Sequence, residues 1–166
     1  MILVICGPPG AGKTTIATRV RERLVRRDVP VQLYHSDDFS SRTYEQLFDR
    51  IASAVETEAA SGREDEPAIH LVDGTFYRQK WQTRFRTLDD VRFVHVAASL
   101  ETCLERNRSR ADPIDERGVH VIYREFADPE AALEIDTDDR TVPEAVDRIL
   151  AALSAWGWLD AADPEA

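Results

Sequence analysis

The chain opens on an unbroken apolar run, Ile2-Leu3-Val4-Ile5-Cys6, which reads as a strand buried on both faces. Apolar residues return at Ile16, Val20 and Leu24, the spacing of one helix face. Arg26-Arg27-Asp28-Val29-Pro30 breaks that period, and Val31-Gln32-Leu33-Tyr34-His35 alternates as a second strand. Tyr44, Leu47, Phe48, Ile51 and Val55 keep helical spacing and predict a helix over about 42–60. Ser61 to Pro67 reads as a polar surface loop. Ile69-His70-Leu71-Val72-Asp73 is a third strand, followed by a short helix over about 77–87. Val91 to Val96 is a fourth strand, and Leu100, Cys103 and Leu104 mark a helix that starts at a Ser99 cap. Arg106 to Gly118 is dense in charge and broken by Pro113 and Gly118, which predicts a mobile lid over about 107–120. Val119 to Phe126 reads as helix again and stops before Asp128-Pro129. Leu133-Glu134-Ile135-Asp136 is a fifth, short strand. Thr141 caps a last helix, with Pro143 in its first turn and Val142, Val146, Ile149, Leu150, Leu153 and Trp156 on its apolar face. Residues 160–166 are predicted to fray.

Strands alternate with helices throughout, which predicts an α/β fold: a parallel sheet with helices on both faces. One domain over 1–166 is expected, with no internal repeat. Ligands of such sheets lie beyond the carboxyl ends of the strands. Four stretches converge there: residues 7–14, Ser36-Asp37-Asp38, Asp73-Gly74-Thr75 and the Arg-rich excursion.

The first of these, Gly7-Pro8-Pro9-Gly10-Ala11-Gly12-Lys13-Thr14, fits G-x-x-x-x-G-K-[ST] without a mismatch, between a strand and a helix as the motif requires. Its glycines let backbone N–H groups turn inward towards phosphate oxygens, and the helix that follows adds its positive end. Lys13 is expected to reach the β- and γ-phosphates of ATP from outside the core, and the Thr14 hydroxyl to coordinate Mg²⁺. The expected nucleotide-binding set is Gly7, Pro8, Pro9, Gly10, Ala11, Gly12, Lys13, Thr14 and Thr15.

Asp37 and Asp38 follow the second strand. Adjacent side chains of an extended segment cannot both enter a site, so one should cap the turn. Asp37 is assigned to the site, either holding Mg²⁺ through water or taking the proton of an acceptor hydroxyl. Asp73 ends an apolar strand, as a carboxylate facing Mg²⁺ does, so Thr14, Asp37 and Asp73 are the expected metal positions. Arg106 and Arg110 stand one helical turn apart and could neutralise charge on a transferring phosphoryl group. Lys13, Asp37, Arg106 and Arg110 are thus the expected catalytic residues. His35, His70, His95 and His120 have no metal-ligand spacing and read as structural. The three tryptophans read as packing residues.

Composition narrows the picture. The chain has 166 residues, 31 Asp and Glu against 21 Lys and Arg, and a net charge of −10. Lys13 and Lys80 are its only lysines. An acidic, lysine-poor surface predicts solubility in concentrated salt and disfavours a broad nucleic-acid surface. Met1 runs directly into the first strand with no basic region or cleavage site, and the apolar stretches are of strand length. Cys6 and Cys103 fall on apolar faces, so a reduced, cytoplasmic protein is expected.

The order of these motifs resembles the kinase domain of archaeal L-seryl-tRNA(Sec) kinases. The resemblance rests on the glycine loop, Ser36-Asp37, Asp73-Gly74-Thr75-Phe76-Tyr77, Arg106-Asn107-x-x-Arg110, then Tyr123, Phe126, Pro129 and Ile135-Asp136-Thr137. It implies a three-layer P-loop NTPase fold, with a five-stranded parallel sheet in order 2-3-1-4-5 and a small lid. It also implies ATP and Mg²⁺ as partners, with Asp37 and the pair Arg106 and Arg110 at the family's functional positions. That family carries a further tRNA-gripping domain beyond the kinase domain, which this chain is not expected to have. The chain is also similar to adenylylsulfate kinase, which has Asp-Gly-Asp where this chain has Ser36-Asp37-Asp38. The expected activity is transfer of the γ-phosphate of ATP to a small-molecule or nucleoside-type hydroxyl. Adenylylsulfate kinase activity is one alternative. A regulatory ATPase, akin to the accessory ATPase of tRNA wobble-uridine modification, is another.

Overall fold

The computed structural model describes residues 1–61 and 68–160. The polar loop expected at 61–67 and the frayed tail expected at 160–166 lie, but for Ser61 and Asp160, outside the described residues. Among the described residues eleven elements follow, in strict alternation until α5: β1 (Ile2–Cys6), α1 (Lys13–Val25), β2 (Val31–His35), α2 (Thr43–Ala60), β3 (Ile69–Asp73), α3 (Gln79–Phe85), β4 (Val91–Ala97), α4 (Leu100–Arg108), α5 (Glu116–Arg124), β5 (Leu133–Asp136) and α6 (Val142–Ala155). A single 3-10 turn, Ser36–Asp38, follows β2.

The five strands form one parallel sheet in the order β2-β3-β1-β4-β5. β1 is central and every one of its five residues is buried. Side chains alternate across a strand, so β1 feeds both layers. Leu3 and Ile5 pack with Ile16, Val20 and Leu24 of α1 and with Val146, Ile149 and Leu153 of α6. Ile2, Val4 and Cys6 pack with Leu47 and Ile51 of α2 and with Phe85 of α3. Full burial of one such aliphatic side chain contributes about 2 kcal/mol, so β1 anchors both layers of the core. The glycine loop hangs from its carboxyl end.

The helix boundaries have local causes. The Ser99 hydroxyl accepts from the Thr102 N–H at the start of α4. Thr141 and Glu144 form a reciprocal capping box at the start of α6. Helix α5 begins at Glu116, three residues earlier than expected, because the Asp115 side chain caps it by accepting from the Arg117 N–H. It ends at Arg124, short of Phe126.

The lid expected over 107–120 takes in the end of α4 and the start of α5. Helices α4 and α5 claim half of 107–120, and 109–115 lies between them. The buried Asn107 bonds to both backbone groups of Ile114, donating to its carbonyl (2.8 Å) and accepting from its N–H (3.1 Å). Val119 is fully buried in the core. The excursion is therefore pinned at two points that its charge content hides. Among the described residues no helix is long and apolar enough to cross a membrane.

Candidate functional site

Gly10 and Gly12 are where glycine is required. Gly10 has φ 84°, and a Cβ there would lie 2.4 Å from the Cys103 carbonyl oxygen, so α4 can pack directly on the loop. Gly12 has φ 99° and precedes the first residue of α1, turning the chain from loop into helix.

Lys13 is only 8% exposed, so the expectation that it lies outside the core fails. The loop wraps its aliphatic stem, and its ammonium donates to the Pro8 carbonyl at 2.9 Å. Burial holds its pKa below the ordinary 10.5, and the Asp73, Cys6 and Asp37 charges only partly offset this. An ammonium buried within the glycine loop is a positive charge that a phosphate would satisfy.

The Thr14 hydroxyl donates to the Asp73 carboxylate at 2.7 Å. The same Asp73 oxygen lies 3.0 Å from Nδ1 of His35, its register partner across β2 and β3. Asp73 is 4% exposed, at the end of a strand buried throughout. Thr14 and Asp73 thus present two adjacent oxygens beside the phosphate loop, which fits a hard cation arriving with nucleotide. Thr15 is exposed on α1.

Asp37 and Asp38 share the 3-10 turn after β2 and both are exposed. Among the described residues neither carboxylate makes a hydrogen bond, and Asp38 does not cap the turn as expected. Asp37 lies close enough for its charge to favour the protonated forms of Lys13 and Tyr44.

The two arginines part company. Arg106 reaches back into the glycine loop: its Nη1 lies 3.3 Å from the Gly10 carbonyl, 3.2 Å from that of Ala11 and 2.9 Å from the Thr137 hydroxyl. Its Nη2 donates to the Thr137 carbonyl at 3.1 Å. Arg110 lies beyond the last residue of α4 and is exposed, because the helix ends at Arg108 with Ser109 as its cap. The expected shared helix face is therefore absent. Arg108 pairs with Glu116 of α5 instead.

Several residues near the site were not singled out as functional from the sequence. His35 holds Asp73. Thr137 joins Arg106 to the loop and donates to the Ala11 carbonyl at 2.9 Å. The Tyr44 hydroxyl bonds to Thr75 Oγ1 (2.8 Å) and accepts from the Phe76 N–H (3.0 Å), tying α2 to the segment after β3. Buried Gln82 donates to the carbonyls of Phe76 (2.8 Å) and Ala127 (2.9 Å). Phe76 itself is fully buried with φ 49°, a strained conformation that these bonds over-determine. Thr75, Phe76 and Thr137 fall within motifs of the family resemblance, whereas no short motif spacing marks His35, Tyr44 or Gln82.

The AAA domain family model matches residues 2–143. No curated protein matches. Among solved structures, the chain is similar to the Mycobacterium tuberculosis APS kinase CysC, 16% identical, TM-score 0.67, over 92% of this chain and 96% of that one. It is similar to a gluconokinase from Sinorhizobium meliloti 1021, 15% identical, TM-score 0.64, over 93% and 91% of the two chains. It is also similar to Chaetomium thermophilum Kti12, 15% identical, TM-score 0.64, over 92% and 98%. At these identities the likeness shows the fold, a P-loop kinase-like α/β domain. The loop geometry and the span of the family match lead to one assignment: the chain belongs to the AAA domain family.

Proposed function

We propose that the protein transfers the γ-phosphate of ATP to a hydroxyl of a small-molecule or nucleoside-type acceptor. The observation that carries this is Asp37: an exposed carboxylate with no hydrogen-bond partner among the described residues, close enough to Lys13 to act on its charge. In the proposed step the acceptor oxygen bonds to the γ-phosphorus as the bond to the bridging oxygen of ADP breaks, and Asp37 takes the hydroxyl proton. Lys13 and the inward loop amides balance charge on the β- and γ-phosphates. Thr14 and Asp73, with Asp37 acting through water, would hold magnesium brought by the nucleotide, which supplies further neutralisation there. Arg106 acts on the loop rather than on the phosphoryl group, since its guanidinium is already engaged by Gly10, Ala11 and Thr137. Arg110, exposed just beyond α4, is the arginine left to meet phosphate.

The motif order resembling L-seryl-tRNA(Sec) kinases supports hydroxyl transfer. A net charge of −10 argues against a tRNA-sized acceptor. The likeness to APS kinase and gluconokinase supports a small acceptor. Free, buried Cys6 and Cys103 support a reducing, cytoplasmic setting. The second reading, a regulatory ATPase, is favoured by the likeness to Kti12. Incubation with γ-labelled ATP and a panel of hydroxyl compounds separates them. The proposal expects label in an organic phosphate; label released only as inorganic phosphate supports the ATPase.

A further inference from the structure

The segment after β3 carries a chain of hydrogen bonds with one hydrogen left over. Buried Phe76 holds φ 49°, and from that strained conformation its N–H donates to the Tyr44 hydroxyl at 3.0 Å. The Tyr44 oxygen lies 2.8 Å from Thr75 Oγ1. Among the described residues neither hydroxyl has a further partner. Each hydroxyl brings one hydrogen and two lone pairs. One hydrogen makes the link between them, and the other has no acceptor. The Phe76 N–H polarises the phenol, and a phenol is the more acidic hydroxyl, so Tyr44 donates and Thr75 accepts. The chain therefore runs from the Phe76 N–H through Tyr44 and ends on the Thr75 hydroxyl hydrogen.

Tyr44 is held firmly behind it. Its ring stacks on Trp81, with centroids 5.3 Å apart and planes 26° from parallel, and meets the Phe76 ring edge-on at 4.8 Å. Gln82 fixes the other side of Phe76 by donating to its carbonyl at 2.8 Å. Thr75 is only half-buried, so its unspent hydrogen is open to a ligand.

The place of that hydrogen follows from the sheet. The order β2-β3-β1 sets the residues after β3 between those after β2 and those after β1. On the β1 side, the Thr75 carbonyl accepts from the Gly7 N–H at 3.3 Å. Gly7 in turn rests on the Lys13 stem, since a Cβ there would lie 3.5 Å from Lys13 Cδ. On the β2 side, the chains stay together past their last pair, His35 and Asp73: a Cβ at Gly74 would lie 3.2 Å from Ser36 Cβ. The next residues along these two chains are Asp37 and Thr75. Thr75 thus stands between the glycine loop and the turn that carries Asp37.

We propose that the Thr75 hydroxyl donates to an oxygen of the γ-phosphoryl group of bound ATP, and that Tyr44 is the positioning residue that aims and polarises it. The loop amides enclose the β-phosphate. Thr75 lies outside the loop on the side of Asp37, where the terminal phosphoryl group must lie to meet an acceptor. An anionic oxygen is the strongest acceptor for a hydroxyl at the end of such a chain. ADP has no group there, so this contact makes the site tell ATP from ADP. The assignment rests on the reading of residues 7–15 as an ATP site and holds alike for a kinase and an ATPase.

Calorimetric titration of the full chain with magnesium, using ADP and non-hydrolysable β,γ-imido ATP, reads the contact without catalysis. The ratio of the two dissociation constants is the gain from the γ-group. Thr75→Val keeps the shape of the side chain and removes the hydroxyl. It should cut the gain about tenfold or more and leave ADP affinity within about twofold of wild type. Thr75→Ser should restore the gain. Tyr44→Phe keeps the ring contacts and the Thr75 hydroxyl but removes the donor that orients it, and should cut the gain about threefold or more. Thr75→Ala reads the same ratio if valine does not pack. A purely structural role predicts equal loss of affinity for both nucleotides. That result, or a gain that survives removal of the Thr75 hydroxyl, would overturn the proposal. A wild-type chain that binds neither nucleotide would overturn the ATP site itself, an outcome distinct from failure of the Thr75 contact.

Discussion

Thr14 donates its hydroxyl hydrogen to Asp73 across 2.7 Å, joining the first turn of α1 to the end of β3 across 59 positions of chain. These two oxygens act as one unit. Thr14→Val and Asp73→Asn should each lower magnesium-dependent ATP turnover by about 10- to 100-fold. The double variant should be little worse than either single one. Thr14→Ser, which keeps the hydroxyl, should retain most of the rate. Turnover measured against magnesium concentration checks this, and additive losses would separate the two residues.

Lys13 trades stability for function. Its ammonium is buried, while the Pro8 carbonyl it meets also accepts from the Ala11 N–H at 3.2 Å. Asp73 keeps Thr14 and His35. Lys13→Met should therefore abolish turnover yet raise the melting temperature by roughly 2–5 °C. The sign with pH follows. The folded pKa lies below the unfolded 10.5, so the unfolded chain holds the extra proton between those values and the penalty shrinks as pH rises towards 10.5. The stability gap between Lys13→Met and wild type should narrow over that window. Thermal melts across alkaline pH read it directly.

Arg106 and Arg110 should behave differently. Arg106→Ala strips a shared donor from the Gly10 and Ala11 carbonyls, costing about 1–3 kcal/mol and roughly 3–8 °C in the absence of nucleotide. Arg110→Ala should leave that melting temperature near wild type and lower turnover. Equal effects of the two substitutions on nucleotide-free stability would show that Arg106 does not hold the loop.

The helix faces were legible because periodicity carries them, and the sheet order was implied by the family resemblance. Tyr44, Leu47 and Ile51 placed α2 within one residue of its observed start, and the Thr141 cap was readable from residue type alone. The glycine loop was legible because phosphate binding needs a short, contiguous pattern. What stayed hidden is what register and distant chain supply. His35 meets Asp73 only because β2 and β3 pair in that register. Arg106 finds the loop 96 positions away, and its periodic partner Arg110 is lost because α4 ends early.

Asn107 decides how far the excursion between α4 and α5 can move. Asn107→Ala removes both bonds to Ile114 and should cost about 1–3 kcal/mol. Hydrogen exchange at the Ile114 amide should accelerate strongly in the variant. In the wild type, exchange over 109–115 should slow when ATP is added if the segment closes as a lid. Equal protection with and without nucleotide would leave it a fixed connector.

The carboxylate of Asp37 carries the proposed chemistry, and Asp37→Asn keeps its shape while removing the charge. Once the acceptor screen has supplied a substrate, two numbers decide the matter: the ATP dissociation constant and the rate of label transfer to the acceptor. General-base assistance contributes about a hundredfold or more, so transfer should fall by at least that much. ATP affinity should change little, because the loop amides and Lys13 hold the phosphates. Asp38→Asn should be mild. A parallel loss of affinity and transfer, or no loss of transfer, would contradict a hydroxyl kinase that uses Asp37 as its base.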